Sequence, residues 1–210
     1  MKHRRGRRPI PRLRERILRS AAELFGEKEF DHVLTEEVAA RAGVGKGSVY
    51  RQFRSKEELY GAAVIDGFVE LRKQLEKALA GTKSVEERIA TIVRHTLAYF
   101  WDRRRFFVLL RDPALLPRRQ ENLYRKEREQ FSLLISRTLA EGARSELLRG
   151  DLDFQLAAES LLGMMRGIQR YKRENVGLDE AVHTVVSLFL DGAHLTNARA
   201  APRQLAKPSP

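Results

Sequence analysis

The stretch 35–56 constrains the fold of this chain more than any other part of the sequence. It begins with Thr35, a candidate N-cap, followed by two acidic residues that suit the positively polarised first turn of a helix. Gly43 follows where a residue with positive φ would end that helix. A second short helix is predicted from Lys46 to Phe53, and two short helices joined by a glycine turn form a helix-turn-helix.

The second of these helices has two chemically different sides. Val49 and Phe53 are four residues apart and predict an apolar inner side. The outer side would present hydrogen-bond donors and an aromatic ring, which suits a helix lying in the major groove of DNA. These outer residues are Lys46, Ser48, Tyr50, Arg51 and Gln52. The pattern therefore predicts a DNA-reading element.

At these positions the sequence resembles the DNA-binding domain of the tetracycline-repressor (TetR) family, over about residues 12–60. The residues that establish the resemblance are Thr35, Val38, Ala39, Ala42, Gly43, Val44, Gly47, Val49, Tyr50, Phe53, Lys56 and Leu59. Two positions depart from the usual pattern. Gly45 stands where Ser or Thr commonly caps the recognition helix, and Gln52 stands where His or Tyr is common. Glycine has no side-chain oxygen with which to cap or to bind phosphate.

The resemblance implies a set of DNA contacts. The set comprises Thr35, Lys46, Gly47, Ser48, Tyr50, Arg51, Gln52 and Lys56. Among these, Thr35, Gln52 and Lys56 are expected to hold the DNA backbone. Lys46, Ser48, Tyr50 and Arg51 are expected to face base edges or adjoining phosphates.

The resemblance also implies a C-terminal helical domain that dimerises and binds a small, apolar effector between its helices. Candidate lining residues are Phe68, Phe100, Trp101, Phe107, Phe131 and Met164. Aromatic residues at such spacings are also typical of an ordinary core. If these residues line an effector pocket, the protein is a dimeric repressor that its effector releases from a palindromic operator. The alternative is a constitutive DNA-binding protein without an effector.

The charge distribution fits a nucleic-acid partner. The chain of 210 residues has a formal net charge of +12, and residues 1–60 contain 15 Lys and Arg against 9 Asp and Glu. A basic run is often only a solvated tail, but beside a helix-turn-helix it indicates a surface for phosphate. Residues 1–11 are predicted to form a flexible basic arm able to reach DNA.

Composition argues against several other classes of protein. The chain has no cysteine, no apolar run of about 18 residues and no secretory signal, so we expect a cytoplasmic protein without a membrane span. Its five histidines show no metal-binding spacing, and no nucleophile is accompanied by a base. The segment from Gly43 to Ser48 lacks the order of a phosphate-binding loop. No metal, cofactor or enzymatic activity is expected.

The remaining sequence predicts an all-α protein. Helices are expected at about 12–28, 56–80, 84–101, 118–148, 153–173 and 178–196, with candidate capping boxes at Ser55 and Ser84. The last two are apolar on more than one face, and helices of this kind must be covered on more than one face. They therefore predict a dimer interface. The expected divisions are a DNA-binding domain at 12–60, an effector-binding and dimerisation domain at 61–196, and a disordered tail at 197–210.

Overall fold

The computed structural model describes residues 12–82, 84–101, 116–171 and 175–193. The helices are α1 (Leu13–Glu27), α2 (Thr35–Arg41), α3 (Lys46–Gln52), α4 (Lys56–Leu79), α5 (Val85–Trp101), α6 (Arg118–Arg144), α7 (Phe154–Tyr171) and α8 (Leu178–Ala193). A 3-10 turn at Phe30–His32 joins α1 to α2. These ranges contain no strand, and the predicted all-α class is confirmed. The predicted basic arm and C-terminal tail lie outside the described residues.

The first three helices and the first half of α4 enclose the N-terminal core. Its largest fully buried side chains include Ile17, Leu18, Phe25 and Leu59. Isolated helices as short as α1, α2 and α3 are at best marginally stable in water. The burial of these apolar surfaces is therefore the main force that holds the three helices together. The three-helix unit with its helix-turn-helix is therefore formed as predicted.

The turn between α2 and α3 depends on a glycine. Gly43 has φ +63°, as predicted, and a Cβ atom there would lie 2.9 Å from the guanidinium Nη2 of Arg16. The same Nη2 atom donates a hydrogen bond of 2.6 Å to the carbonyl oxygen of Ala42, at the end of α2. The turn therefore requires both a left-handed backbone and free space, and glycine supplies both.

The helix starts match the predicted caps, with one correction. Ser84 and Glu87 form the expected reciprocal capping box, and Ser55 Oγ accepts the backbone N–H of Glu58. Thr35 is the first residue of α2 rather than its N-cap, so that prediction is wrong by one position. The Glu37 carboxylate accepts the N–H of Leu34 at 3.3 Å. This hydrogen bond lies at the N-terminal end of α2, which Thr35 was expected to cap.

The second core lies among α4 to α8 and contains Leu71, Leu75, Ile89, Phe131 and Val185. The first core extends along α4 to Val64 and also includes Leu116, which precedes α6, and Tyr124, near the start of α6. Helices α4 and α6 therefore take part in both cores. No helix of the described segments is both long and apolar enough to cross a membrane.

Helix α6 ends earlier than predicted, at Arg144 instead of about residue 148. Glu146 has φ +58°, a left-handed conformation that ends a helix. The N–H groups of Leu147 and Leu148 both donate to the carbonyl of Gly142. The last apolar residue of the predicted helix, Leu148, instead folds back and is buried in the second core.

Candidate nucleic-acid interface

Helix α3 is held by its inner side and presents its outer side to solvent. Val49 and Phe53 are buried in the N-terminal core, as predicted. The exposed residues of α3 are Lys46, Gly47, Tyr50, Arg51 and Gln52. Tyr50 is 45% exposed, a large fraction for an aromatic side chain beside a packed core. Five of the eight predicted contact residues thus lie together on one accessible surface, which we call the α3 surface.

Lys46 at the start of α3 is paired with an acid of the preceding helix. Its ammonium forms an ion pair with the carboxylate of Glu36 and lies 5.7 Å from the centroid of the Tyr50 ring. The hydrogen bond between the two side chains raises the pKa of Lys46 and lowers the pKa of Glu36. Both groups are therefore charged at neutral pH. Sequence reasoning placed Glu36 only as a favourable first-turn acid and did not find this pairing.

Ser48 does not lie on the exposed side of α3, so that prediction is wrong. The residue is only 4% exposed. Its hydroxyl accepts a hydrogen bond of 3.0 Å from Nη2 of Arg51, one helical turn later. The longer arginine side chain reaches back over the short serine, which positions the guanidinium at the surface. A direct contact of Ser48 with DNA stays a prediction.

Two residues expected to hold the DNA backbone are not freely exposed: Lys56 contacts the 3-10 turn, and Thr35 is buried. Lys56 Nζ donates to the carbonyl oxygen of Phe30 at 3.0 Å and lies 4.5 Å from the centroid of that ring. Thr35 is only 9% exposed. Their contacts with DNA stay predictions. In the free protein, Lys56 joins the start of α4 to the 3-10 turn.

Arg14 is a further basic side chain beside α3 that the sequence pattern did not single out. Its guanidinium lies 5.3 Å from the centroid of the Phe53 ring, at the C-terminal end of α3. The contact joins residues far apart in sequence, so helical periodicity gives no sign of it. It places one of the charges of α1 next to the α3 surface.

The predicted effector-pocket residues partly converge in the structure. Phe68 lies at the centre of an aromatic group, with its ring centroid 6.3 Å from Phe100, 6.4 Å from Phe131 and 5.5 Å from Tyr124. Sequence reasoning missed Tyr124, although it lies seven residues before Phe131 on the same face of α6. Burial raises the pKa of the Tyr124 hydroxyl, which therefore stays neutral.

The other candidates have different positions. Trp101 and Met164 are partly buried against the second core, and Phe107 lies outside the described residues. A depression of about 360 Å³ lies elsewhere, near the turn between α4 and α5, and contains none of the predicted pocket residues. Its lining residues are Gly81, Thr82, Glu87, Ala90, Thr91, Arg94 and Val182.

The aromatic group is connected to the helix-turn-helix unit through the start of α6. Gln120 is largely buried, and its Nε2 donates a hydrogen bond of 2.6 Å to the carbonyl oxygen of Glu58 in α4. A Cβ atom on Gly61 would lie 2.9 Å from Cδ of Gln120 and 3.1 Å from Cδ2 of Leu116. The close approach of α4 and α6 at this point therefore depends on Gly61.

Known proteins share this arrangement. In sequence, 111 residues are 32% identical to the HTH-type transcriptional regulator YerO of Bacillus subtilis (strain 168), a match that covers 51% of this chain and 38% of YerO. In structure, FadR from Bacillus subtilis in complex with stearoyl-CoA superposes with a TM-score of 0.72 at 16% identity, covering 86% of this chain and 99% of that chain. A protein from Saccharomonospora viridis in complex with choline gives a TM-score of 0.75 at 17% identity, covering 87% and 98%.

Two family models cover most of the chain. The model for bacterial regulatory proteins of the tetR family matches residues 17–63, which include α2 and α3. The model for the tetracyclin repressor-like C-terminal domain matches residues 82–193, more than half of the chain. The exposed helix-turn-helix and both matches lead to one conclusion: this chain belongs to the TetR family of DNA-binding transcriptional regulators.

Proposed function

We propose that the protein is a homodimeric repressor that binds a palindromic operator and is released by a small, largely apolar effector. The observation that supports DNA reading most directly is the α3 surface, where exposed donors stand on a helix whose opposite side is buried. Lys and Arg side chains on such a helix can reach guanine O6 and N7 in the major groove. Gln52 can bind adenine or phosphate.

The proposal of a dimer rests on the last two helices. Leu156 of α7 is 66% exposed and Leu188 of α8 is 62% exposed. A Cβ atom on Gly163 or Gly167 would meet nothing within 4 Å in the same chain, so packing inside one subunit does not require these glycines. Two such helices from each subunit can form a four-helix interface. A dimer would also double the number of base pairs read by one short helix.

The proposal of an effector site rests on the aromatic group around Phe68. This group lies where α4, α5 and α6 meet, between the two cores. The partially buried rings of Phe68 and Phe100 provide apolar surface for a ligand. Stearoyl-CoA and choline in the two similar structures show that this fold can accommodate small molecules. We infer that the effector of this chain has an apolar portion that contacts these rings.

Release would follow from coupling between the aromatic group and α4. A ligand that moves the start of α6 would also move the Gln120 contact with Glu58, three residues into the helix that leaves the recognition element. The effector must bind the DNA-free arrangement more tightly than the DNA-bound one, because a ligand shifts an equilibrium only by its difference in affinity.

A two-step experiment tests the proposal. Binding selection from random duplexes with the purified protein should yield one palindromic sequence. Competition on that operator should then be measured with a panel that includes stearoyl-CoA, free long-chain fatty acids and choline. Relief of operator binding by a panel member supports the repressor. Enrichment of no sequence would instead indicate the constitutive DNA-binding protein, and an operator without any ligand effect would remove support for an apolar effector.

A further inference from the structure

The ion pair between Glu36 and Lys46 places an acid on the surface expected to approach DNA. Glu36 is the second residue of α2 and Lys46 is the first residue of α3. Their side chains are 51% and 55% exposed. An exposed pair of this kind contributes little to folding stability, because water already solvates both charges well. The ion pair is therefore a weak reason for a negative charge next to the donors of α3, and Glu37 already supplies an acid to the first turn of α2.

We propose that Glu36 is a specificity-determining residue, which acts as an internal competitor of DNA for the ammonium of Lys46. This inference rests on the proposed contact of Lys46 with DNA. In the free protein, the Glu36 carboxylate occupies the position that a phosphate oxygen or a base acceptor would take. Lys46 must leave this partner to bind a phosphate, and the uncompensated carboxylate then remains close to the polyanion.

The competition affects operator and random DNA differently. On random DNA, Lys46 can only exchange Glu36 for a phosphate, so one favourable contact is replaced by another and the nearby acid is left unpaired. On the operator, the ammonium has three N–H donors and can bond a guanine edge while it keeps its hydrogen bond to Glu36, so the acid stays paired. Glu36 therefore lowers affinity for random DNA more than affinity for the operator, and raises the ratio between them.

Neighbouring acids of the same unit face a different direction. Glu37 pairs with Lys28 at 2.7 Å and accepts the N–H of Leu34, and Glu27 pairs with Arg41 at 2.6 Å. These pairs connect α1 with α2. The Glu36 pair instead connects α2 with the first residue of the DNA-reading helix. Glu37 thus provides a matched control, because it is one residue away with the same charge.

The test compares the Glu36→Gln and Glu37→Gln variants on the selected operator and on a random duplex of equal length. For Glu36→Gln, affinity for random DNA should rise about 3- to 10-fold at about 0.1 M salt, with a smaller rise on the operator. On random DNA the salt dependence should steepen by about 0.9 in the log–log slope, because an unpaired carboxylate no longer offsets the phosphate that Lys46 neutralises. Glu37→Gln should leave both affinities and the slope unchanged. Melting temperatures should stay close to the wild type, since glutamine can still accept the N–H of Leu34 and exposed ion pairs contribute little to stability.

Two further variants separate the possible causes. In a Lys46→Met background, Glu36→Gln should raise affinity for operator and random DNA by the same factor, because only the repulsion between the carboxylate and the phosphates remains. A larger gain on random DNA that persists in this background would overturn the inference, because it would not require the ammonium. In the wild-type background, equal gains on operator and random DNA, or no gain, would also overturn it. Lys46→Met alone tests the underlying proposal. If this variant binds both duplexes as tightly as the wild type, the proposed contact of Lys46 with DNA is wrong. If Lys46→Met weakens binding but Glu36→Gln gives no gain, only the role of Glu36 is rejected.

Discussion

The basic residues predicted to bind DNA differ in the interactions that hold them in the free protein. Lys46 is paired with a carboxylate, whereas Arg51 is bonded only to the neutral hydroxyl of Ser48. Lys56 would have to leave a backbone carbonyl and the face of Phe30. A hydrogen bond to a neutral hydroxyl is the weakest of these interactions. We therefore expect Arg51 to be the donor that reads a base.

Replacing Arg51 with alanine should weaken operator binding by about 1–3 kcal/mol and relax the preference at one operator position. The physical reason is that a bidentate guanidinium contact distinguishes one base from the other three. Binding selection on the variant measures this directly. Arg41→Ala is the control, because Arg41 lies on α2 and is paired with Glu27. If Arg51→Ala lowers affinity for all sequences equally, Arg51 binds only phosphate.

Replacing Lys56 with methionine should destabilise the folded protein by about 1–2 kcal/mol, whatever its effect on DNA binding. The reason is the loss of a charge-assisted hydrogen bond to the Phe30 carbonyl and of a cation–π interaction with its ring. Urea unfolding at neutral pH measures the change. A Lys56→Met protein as stable as the wild type would show that these contacts do not stabilise the fold, and DNA binding would remain as the role of this lysine.

At the scale of the secondary-structure elements, Gly61 lies where α4 is in close contact with Gln120 of α6. Gly61→Ala should destabilise the protein by about 1–3 kcal/mol, since a Cβ atom there lies 2.9 Å from Cδ of the largely buried Gln120. Denaturant midpoints of Gly61→Ala, Gln120→Ala and the double variant measure this. If the contact with Gln120 is the cause, Gly61→Ala should cost less in the Gln120→Ala background. Additive effects would point to another source of strain.

Features that depend on nearby residues were predicted well from the sequence. Gly43 ends α2 with positive φ, and Ser55 and Ser84 cap α4 and α5. These motifs act over three or four residues, so their chemistry is visible in a short window. The periodicity of α4 and α5 likewise gave ends within one residue of those observed.

Features that depend on distant partners were not predicted. Gln120 and Glu58 are 62 positions apart, and nothing local indicates that an amide side chain of α6 bonds to α4. Ser48 was expected on the outer side of α3, but the Arg51 side chain covers it. The left-handed residue that ends α6 is Glu146, and glutamate has no particular preference for positive φ that would mark the position.

For the whole molecule, the two cores are joined by continuous helices rather than by a flexible linker. Helix α4 contributes Val64 to the first core and Leu71 to the second, and α6 contributes Tyr124 and Phe131 in the same way. A displacement at the aromatic group can therefore reach the helix-turn-helix without local unfolding. This supports the proposed coupling between effector and DNA, which requires two discrete arrangements of packed elements.

The basic segment 1–11, outside the described residues, is expected to add affinity without sequence preference. Deleting residues 1–8 should lower affinity for operator and random DNA by similar factors. For every phosphate that the arm no longer neutralises, the slope of log affinity against log salt should fall by about 0.9, because fewer counterions are released. Titrations at several salt concentrations measure the slope. An unchanged slope would show that the arm does not bind DNA.

The dimer proposal can be tested with a residue whose exposure makes folding effects small. Leu188→Glu should give a folded monomer that loses most operator binding, because Leu188 is 62% exposed in the single chain and a buried interface cannot accommodate an unpaired carboxylate. Sedimentation equilibrium gives the association state, and the circular dichroism spectrum should remain helical. Leu123→Glu is the matched control: Leu123 is 44% exposed on α6, so this variant should remain dimeric and bind the operator. A dimeric Leu188→Glu protein, or a monomeric wild type at micromolar concentration, would rule out an interface that includes this part of α8.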